Sequence, residues 1–131
     1  MIKIVLDTNI IISAAITPNG NPAKIIKLVS NTENMIICYN PDIIDEYVRV
    51  LSYERLNFSA EKKIRAINVV WKYGILTQPI KSTMPLPDES DRIFYDTAKA
   101  VDAYLITGNI KHYPEEPHIL TPAKFIEMFE N

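Results

Sequence analysis

A chain of 131 residues, 47% apolar and 23% charged, can bury one core, which excludes wholesale disorder and leaves little room for a second compact domain. Cys38 is the only cysteine, so an internal disulfide is excluded and a cysteine-based zinc site lacks ligands. Fourteen Lys and Arg against 16 Asp and Glu give a net charge of -2, with no global basic field for nucleic acid.

The β-branched run over residues 2–6 reads as a buried strand. It stops at Asp7-Thr8-Asn9, too short for a signal-peptide core, and no apolar stretch approaches the ~18 residues of a membrane span. The chain reads as cytoplasmic, with no membrane partner. An isoleucine-rich helix follows Asp7. After the Pro18-Asn19-Gly20 turn, Asn21 is the expected N-cap of a helix to about Ser30, with Pro22 at its first position. Residues 35–39 form a second buried strand, and Pro41 opens a helix through Leu51. Ser59 caps a helix through Lys72, which Gly74 ends. A short strand over 75–77 precedes a connection over 78–87 that holds three prolines. Asp88 or Ser90 starts a helix to Val101, and a strand over 104–107 ends at Gly108. A last strand over 118–120 leads to a terminal helix capped by Thr121-Pro122. Strands alternating with helices imply an α/β sandwich whose mostly parallel central sheet is flanked by helices. Ligands in such sheets bind outside the carboxyl ends of the strands, which directs attention to Asp7-Thr8-Asn9 and Thr107-Gly108-Asn109.

Asp7 gains there from the N-terminus of the following helix; capping that helix is its alternative role. Thr8 and Asn9 add a hydroxyl and an amide that orient a ligand or complete the same turn. At about 100° per residue, Ile43, Ile44, Tyr47, Val48, Val50 and Leu51 form an apolar arc, and Glu46 sits at its edge about 40° from Val50. Asp45 and Arg49 lie further round. A boundary acid can bend into a cleft, although helices also carry such glutamates without function. In the helix after residue 88, Ile93, Phe94, Thr97, Ala98 and Val101 define the buried arc. Asp91 lies at its rim, about 20° from Ala98, whereas Asp96 projects to the opposite side among Arg92 and Lys99. Asp88 and Glu89 also suit an acidic first turn that favours the helix dipole.

Charge is unevenly spread. Residues 59–81 hold five bases and one acid, and residues 88–102 hold five acids and two bases. That pattern fits an acidic cleft beside a basic surface, or two solvated helix faces. Carboxylates converging on a cleft repel unless they hold a cation, and oxygen ligands select Mg²⁺ or Mn²⁺. Such an ion engages phosphate, which points to phosphodiester chemistry. His112 and His118 lack HExxH-type spacing and read as surface or packing residues.

These residues together resemble the PIN domain, a small metal-dependent nuclease fold. The resemblance spans Ile2-Lys3-Ile4-Val5-Leu6-Asp7-Thr8-Asn9, Ile44-Asp45-Glu46-Tyr47, Asp88-Glu89-Ser90-Asp91-Arg92-Ile93-Phe94 and Thr107-Gly108-Asn109-Ile110-Lys111-His112. It looks most like the branch of toxins from toxin–antitoxin pairs, related to VapC-type ribonucleases. The resemblance implies a PIN-like three-layer fold and catalytic acids at Asp7, Glu46 and Asp91 that hold the metal, with Asp88 and Asn109 as additional metal ligands. Asn109 stands where the family usually has a fourth acid and brings an amide instead of a charge. The implied substrate contacts are Thr8, Asn9, Thr107, Lys111 and His112. The implied activity is Mg²⁺- or Mn²⁺-dependent hydrolysis of single-stranded RNA, leaving a 5′-phosphate and a 3′-hydroxyl. The implied partners are RNA, an antitoxin protein and a second copy of the chain. Asn109 keeps a second reading open, a PIN-like module that binds RNA or protein without cutting.

Overall fold

Apolar runs of two to five residues form the strands of one sheet in the computed structural model, which describes Met1–Glu130. They are β1 (Ile2–Leu6), β2 (Met35–Tyr39), β3 (Gly74–Leu76), β4 (Tyr104–Ile106) and β5 (Ile119–Leu120), all parallel, in the order β3-β2-β1-β4-β5. Ile4 of the central strand faces Ile37 on one side and Tyr104 on the other. Ile4, Val5 and Leu6 are fully buried, as expected of a parallel strand covered on both faces. Among the described residues six helices flank the sheet: α1 (Thr8–Ile16), α2 (Asn21–Ser30), α3 (Pro41–Leu51), α4 (Ala60–Lys72), α5 (Arg92–Val101) and α6 (Pro122–Phe129). The expected α/β architecture, a mostly parallel sheet flanked by helices, is therefore the observed one.

Caps fix several boundaries where the sequence put them. The Asn40 Oδ1 accepts from the Ile43 amide, Ser59 Oγ from Lys62, and Thr121 Oγ1 from Lys124. The chain moves one way from β1 to β2 to β3 and the other way from β4 to β5. Winding thus reverses between β1 and β4, and a crevice opens at their carboxyl ends.

Four local expectations need correction. Asn21 is the first residue of α2, and Gly20 takes the N-cap position without a side-chain bond. Gly74 does not end α4, which closes at Lys72 with Tyr73 as C-cap; it opens β3. A Cβ on Gly74 would lie 2.1 Å from the Val70 carbonyl oxygen and 2.9 Å from that of Ile37, so the glycine lets α4 meet β2. The segment after Pro87 first makes a tight 3-10 turn over Glu89–Asp91, because Asp88 Oδ1 accepts from both the amide and the hydroxyl of Ser90. The α5 helix begins only at Arg92.

Asp96 departs most from its expected place. It is 4% exposed, not on an outer face. The proline-containing connection runs over α5 and covers it: Ser82 Oγ donates to Asp96 Oδ1 at 2.6 Å and the Ser82 amide to Oδ2 at 3.3 Å. Arg92 holds the same connection by donating to the Ser82 carbonyl (3.1 Å) and the Met84 carbonyl (2.6 Å). A helical wheel records only the apolar arc and cannot see a loop that turns a polar face inward.

Gly74→Ala is expected to destabilise the fold by about 3 kcal/mol, the upper end for overpacking, because backbone oxygens surround the added methyl. Urea melts of both proteins measure it.

Candidate active site

Asp7 ends β1 at the crevice. Its amide donates to the Ile106 carbonyl of β4 at 3.0 Å, continuing the sheet by one bond. Its side chain is nearly enclosed, at 5% exposure, and receives three hydrogen bonds. Oδ1 accepts from the Thr8 amide at 2.7 Å, and Oδ2 accepts from the hydroxyls of Thr107 (2.8 Å) and Tyr113 (3.0 Å). Burial pushes the Asp7 carboxyl up, and these donors together with His112 oppose the rise. Asp7 therefore caps α1 and faces the cleft at once. Behind it, fully buried Tyr47 donates to the Leu6 carbonyl and stacks on Phe94, with ring centroids 6.2 Å apart.

A cleft of about 280 Å³ lies in front of Asp7, lined also by Thr8, Asn9, Glu46, Arg55, Asp88, Asp91, Asn109 and His112. Glu46 reaches it from α3, with its Oε1 2.6 Å from Arg49 Nη2. Arg49, expected further round the helix, folds back one turn to make this pair. Asp91 enters from the 3-10 turn, and its side chain is 13% exposed. Burial first, then the charges of Asp7 and Asp88, push its carboxyl up to about 6, while His112 pulls the other way. His112 Nδ1 stands 3.2 Å from Asp91 Oδ2. Exposed Asp88 is held below the ordinary carboxylate range by its bonds from Ser90.

Among the described residues, Asp88, Asp91 and His112 each bring one ligand atom within 4.8 Å of the others. Two carboxylate oxygens and an imidazole nitrogen suit a divalent first-row ion, and the imidazole favours Mn²⁺ over Mg²⁺. The Thr8 hydroxyl is buried at the cleft wall without a partner, as a group awaiting a ligand or water would be. The donor set therefore fits a divalent cation. Asp7 and Glu46 share the cleft but lie outside this tight group.

Placement differs for several expected substrate contacts. Thr107 is fully buried and spends its hydroxyl on Asp7, while accepting the Asn109 amide at 2.9 Å. In this structure it supports the site from beneath. Lys111 is exposed on a 3-10 turn over Ile110–His112 and does not line the cleft. Asn9 Oδ1 accepts from the Gly108 amide at 2.9 Å, tying together the loops that follow β1 and β4. Sequence reading missed Tyr113, which lies 106 residues from the carboxylate it serves, and Arg55. A lone aromatic between Lys111-His112 and Pro114-Glu115 was the one available signal for Tyr113.

The PIN domain family model matches residues 3–111. The chain belongs to the PIN domain family. An uncharacterised protein of Methanocaldococcus jannaschii is 30% identical over 145 residues, which cover 98% of this chain and 92% of that protein. The PIN domain also superposes on a chain of VapBC2 from Rickettsia felis, solved bound to a DNA fragment from their promoter. That likeness has a TM-score of 0.59 at 16% identity and covers 92% of this chain and 97% of that one. It is a likeness of fold. No described helix of this PIN domain is long and apolar enough to cross a membrane.

Asp91 gives a signed pH dependence. Unfolded, it titrates near 3.8; folded, near 6, so within this window the native state holds a proton that the unfolded chain has lost. Its contribution to stability is fullest below that window and disappears as pH rises through 6. Without metal, Asp91→Asn is therefore expected to melt at or above wild type near pH 7.5, an advantage that vanishes near pH 4. Excess Mn²⁺ should raise the wild-type melting temperature and raise that of Asp91→Asn much less. Melts in EDTA and in Mn²⁺ at both pH values check this.

Proposed function

We propose that the protein is a divalent-metal-dependent endoribonuclease acting on single-stranded RNA. One observation carries this reading: Asp7, Glu46, Asp88 and Asp91, from three separate stretches of a PIN domain, line one cleft at the point where the sheet's winding reverses. The charges of Asp7 and Asp88 raise the proton affinity of Asp91, a cost that a bound cation removes.

In this reading Asp88, Asp91 and His112 would hold the cation, with Asp7 and Glu46 lining the same cleft. A bound Mg²⁺ or Mn²⁺ supplies an activated water and charge neutralisation at phosphorus. Asp7 is held by three donors, which leaves one lone pair, on Oδ1, for a ligand in the cleft. Glu46 lines the cleft while paired with Arg49. The Asn109 amide contributes an oxygen without charge, which leaves the site one acid short of the family pattern. Single-stranded RNA suits a cleft of about 280 Å³, which is too small for a stacked duplex.

We further propose that the protein works as a homodimer whose activity is restrained by an antitoxin. The antitoxin would place an Arg or Lys between the cleft carboxylates. The likeness to a VapBC2 chain supports this reading. Co-expression with the neighbouring reading frame, followed by sizing, tests it; a monomer that purifies alone refutes it.

The decisive experiment is cleavage of a mixed RNA pool with EDTA, Mg²⁺ and Mn²⁺. Metal-dependent cleavage is expected, with Asp7→Asn and Asp91→Asn each lowering it by about 10²-fold or more. Binding without cleavage would favour a non-cutting module instead. Asn109→Asp is expected to lower the metal concentration that gives half-maximal activity; an unchanged titration would place Asn109 outside the metal's reach.

A further inference from the structure

Arg55 is the one permanent cation among the residues that line the acidic cleft. A guanidinium beside Asp7, Glu46, Asp88 and Asp91 would ordinarily close an ion pair. Among the described residues it makes neither a salt bridge nor a hydrogen bond. Its neighbour Arg49 behaves differently, binding Glu46 and the Tyr53 hydroxyl. Arg55 rests against the Tyr53 ring, its central carbon 5.1 Å from the centroid, where Arg49 also lies at 5.5 Å, but unlike Arg49 it has no ion-pair partner among the described residues. The backbone fixes it there. Arg55 is the middle residue of a 3-10 turn over Glu54–Leu56, and Asn57 closes that turn at φ 49 by donating its amide to the Glu54 carbonyl at 3.0 Å. A guanidinium held by an aromatic ring keeps its N–H donors for another acceptor.

We infer that Arg55, held by Tyr53, is a phosphate-binding subsite for the nucleic-acid strand flanking the scissile bond. The inference rests on the nuclease reading above and adds to it a residue that no part of the acid constellation supplies. A strand entering this cleft brings its phosphates toward four carboxylates. A cation at the acids compensates the reacting phosphate, but a neighbouring phosphate needs a fixed positive charge of its own. Arg55 offers one at the cleft wall, with a fork that fits two phosphate oxygens. A contact to a non-reacting phosphate strengthens substrate and transition state alike, so it acts on KM and leaves kcat in place.

The test uses a fluorescein-labelled single-stranded oligouridylate, bound in Ca²⁺ across a salt series and cleaved at steady state in Mn²⁺. Arg55→Ala is expected to weaken binding roughly tenfold and raise KM similarly, with kcat and Mn²⁺ affinity unchanged. The slope of log K against log salt should become shallower by ~0.7, one single-strand phosphate contact. Arg55→Lys should recover the slope but only part of the affinity, since it keeps the charge and loses the fork. Lys124→Ala, a charge removed from α6, should match wild type. Wild-type affinity and salt slope in Arg55→Ala would overturn the subsite while leaving the nuclease reading intact. An equal loss in Lys124→Ala, or a fall in kcat at constant KM, would overturn it too. A wild-type protein that neither binds nor cuts the oligonucleotide would refute the nuclease reading and this inference with it.

Discussion

A carboxylate buried at the end of the central strand is the constraint around which this structure is arranged. Asp7 is 5% exposed, and an unpaired charge at that depth would cost several kcal/mol. Its donors come from three places: the first turn of α1, the end of β4, and the loop before β5. Supplying them requires β1 and β4 to be neighbours, although about 100 residues of chain separate them. The Thr107 hydroxyl shows how tight the arrangement is. It donates to Asp7 and accepts from Asn109, so one side chain orients both the buried acid and the loop that carries the amide.

The two central acids face opposite electrostatic situations. Asp7 is enclosed but surrounded by donors, whereas Asp91 has His112 on one oxygen and two other carboxylates nearby. The fold has thus satisfied Asp7 with neutral hydrogen bonds and left Asp91 facing other carboxylates with one imidazole partner. This division suits a site that must accept and release a charged ligand. If every acid were fully satisfied by the protein, none would have reason to bind a metal. The unpartnered Thr8 hydroxyl belongs to the same picture, since it adds a polar atom at the wall that the protein does not use.

Much of this was legible in the sequence, and the reasons differ by element. The strands at Ile2–Leu6 and Met35–Tyr39 were readable because a buried parallel strand needs an uninterrupted apolar run. The α3 and α4 boundaries were readable because Pro41 marks a first helical position and Ser59 is a capping signal. The rule about strand ends then pointed to the loops after β1 and β4 before any geometry was known. What the sequence hid is non-local. Tyr113 supports Asp7 from 106 residues away, and no periodicity announces it. Burial of Asp96 depends on a loop crossing its helix. Gly74 looked like a helix stop because composition cannot distinguish a residue needed for left-handed backbone from one needed for close approach. Arg49 and Arg55 are alike in sequence, and only their partners separate them.

The clustered acids between residues 88 and 102 also show why net charge is a poor guide to a site. Arg92 takes Glu89 through Nε at 2.6 Å and Nη2 at 2.8 Å, and Glu89 in turn accepts the Leu86 amide at 3.3 Å. Asp96 is spent on Ser82, with Arg92 3.9 Å away. Asp102 sits at the C-terminal end of α5 with φ 55, outside the cleft. Two of the five acids remain to face the cleft, Asp88 and Asp91. The other charges build the platform: one arginine fastens the connection before α5 to the turn that carries the two free acids. A block of negative charge is therefore neither simply a metal site nor simply a solvated face. The same short stretch supplies the two acids that face the cleft and the clamp that aims them, and which residue does which is decided by the loop folded over the helix.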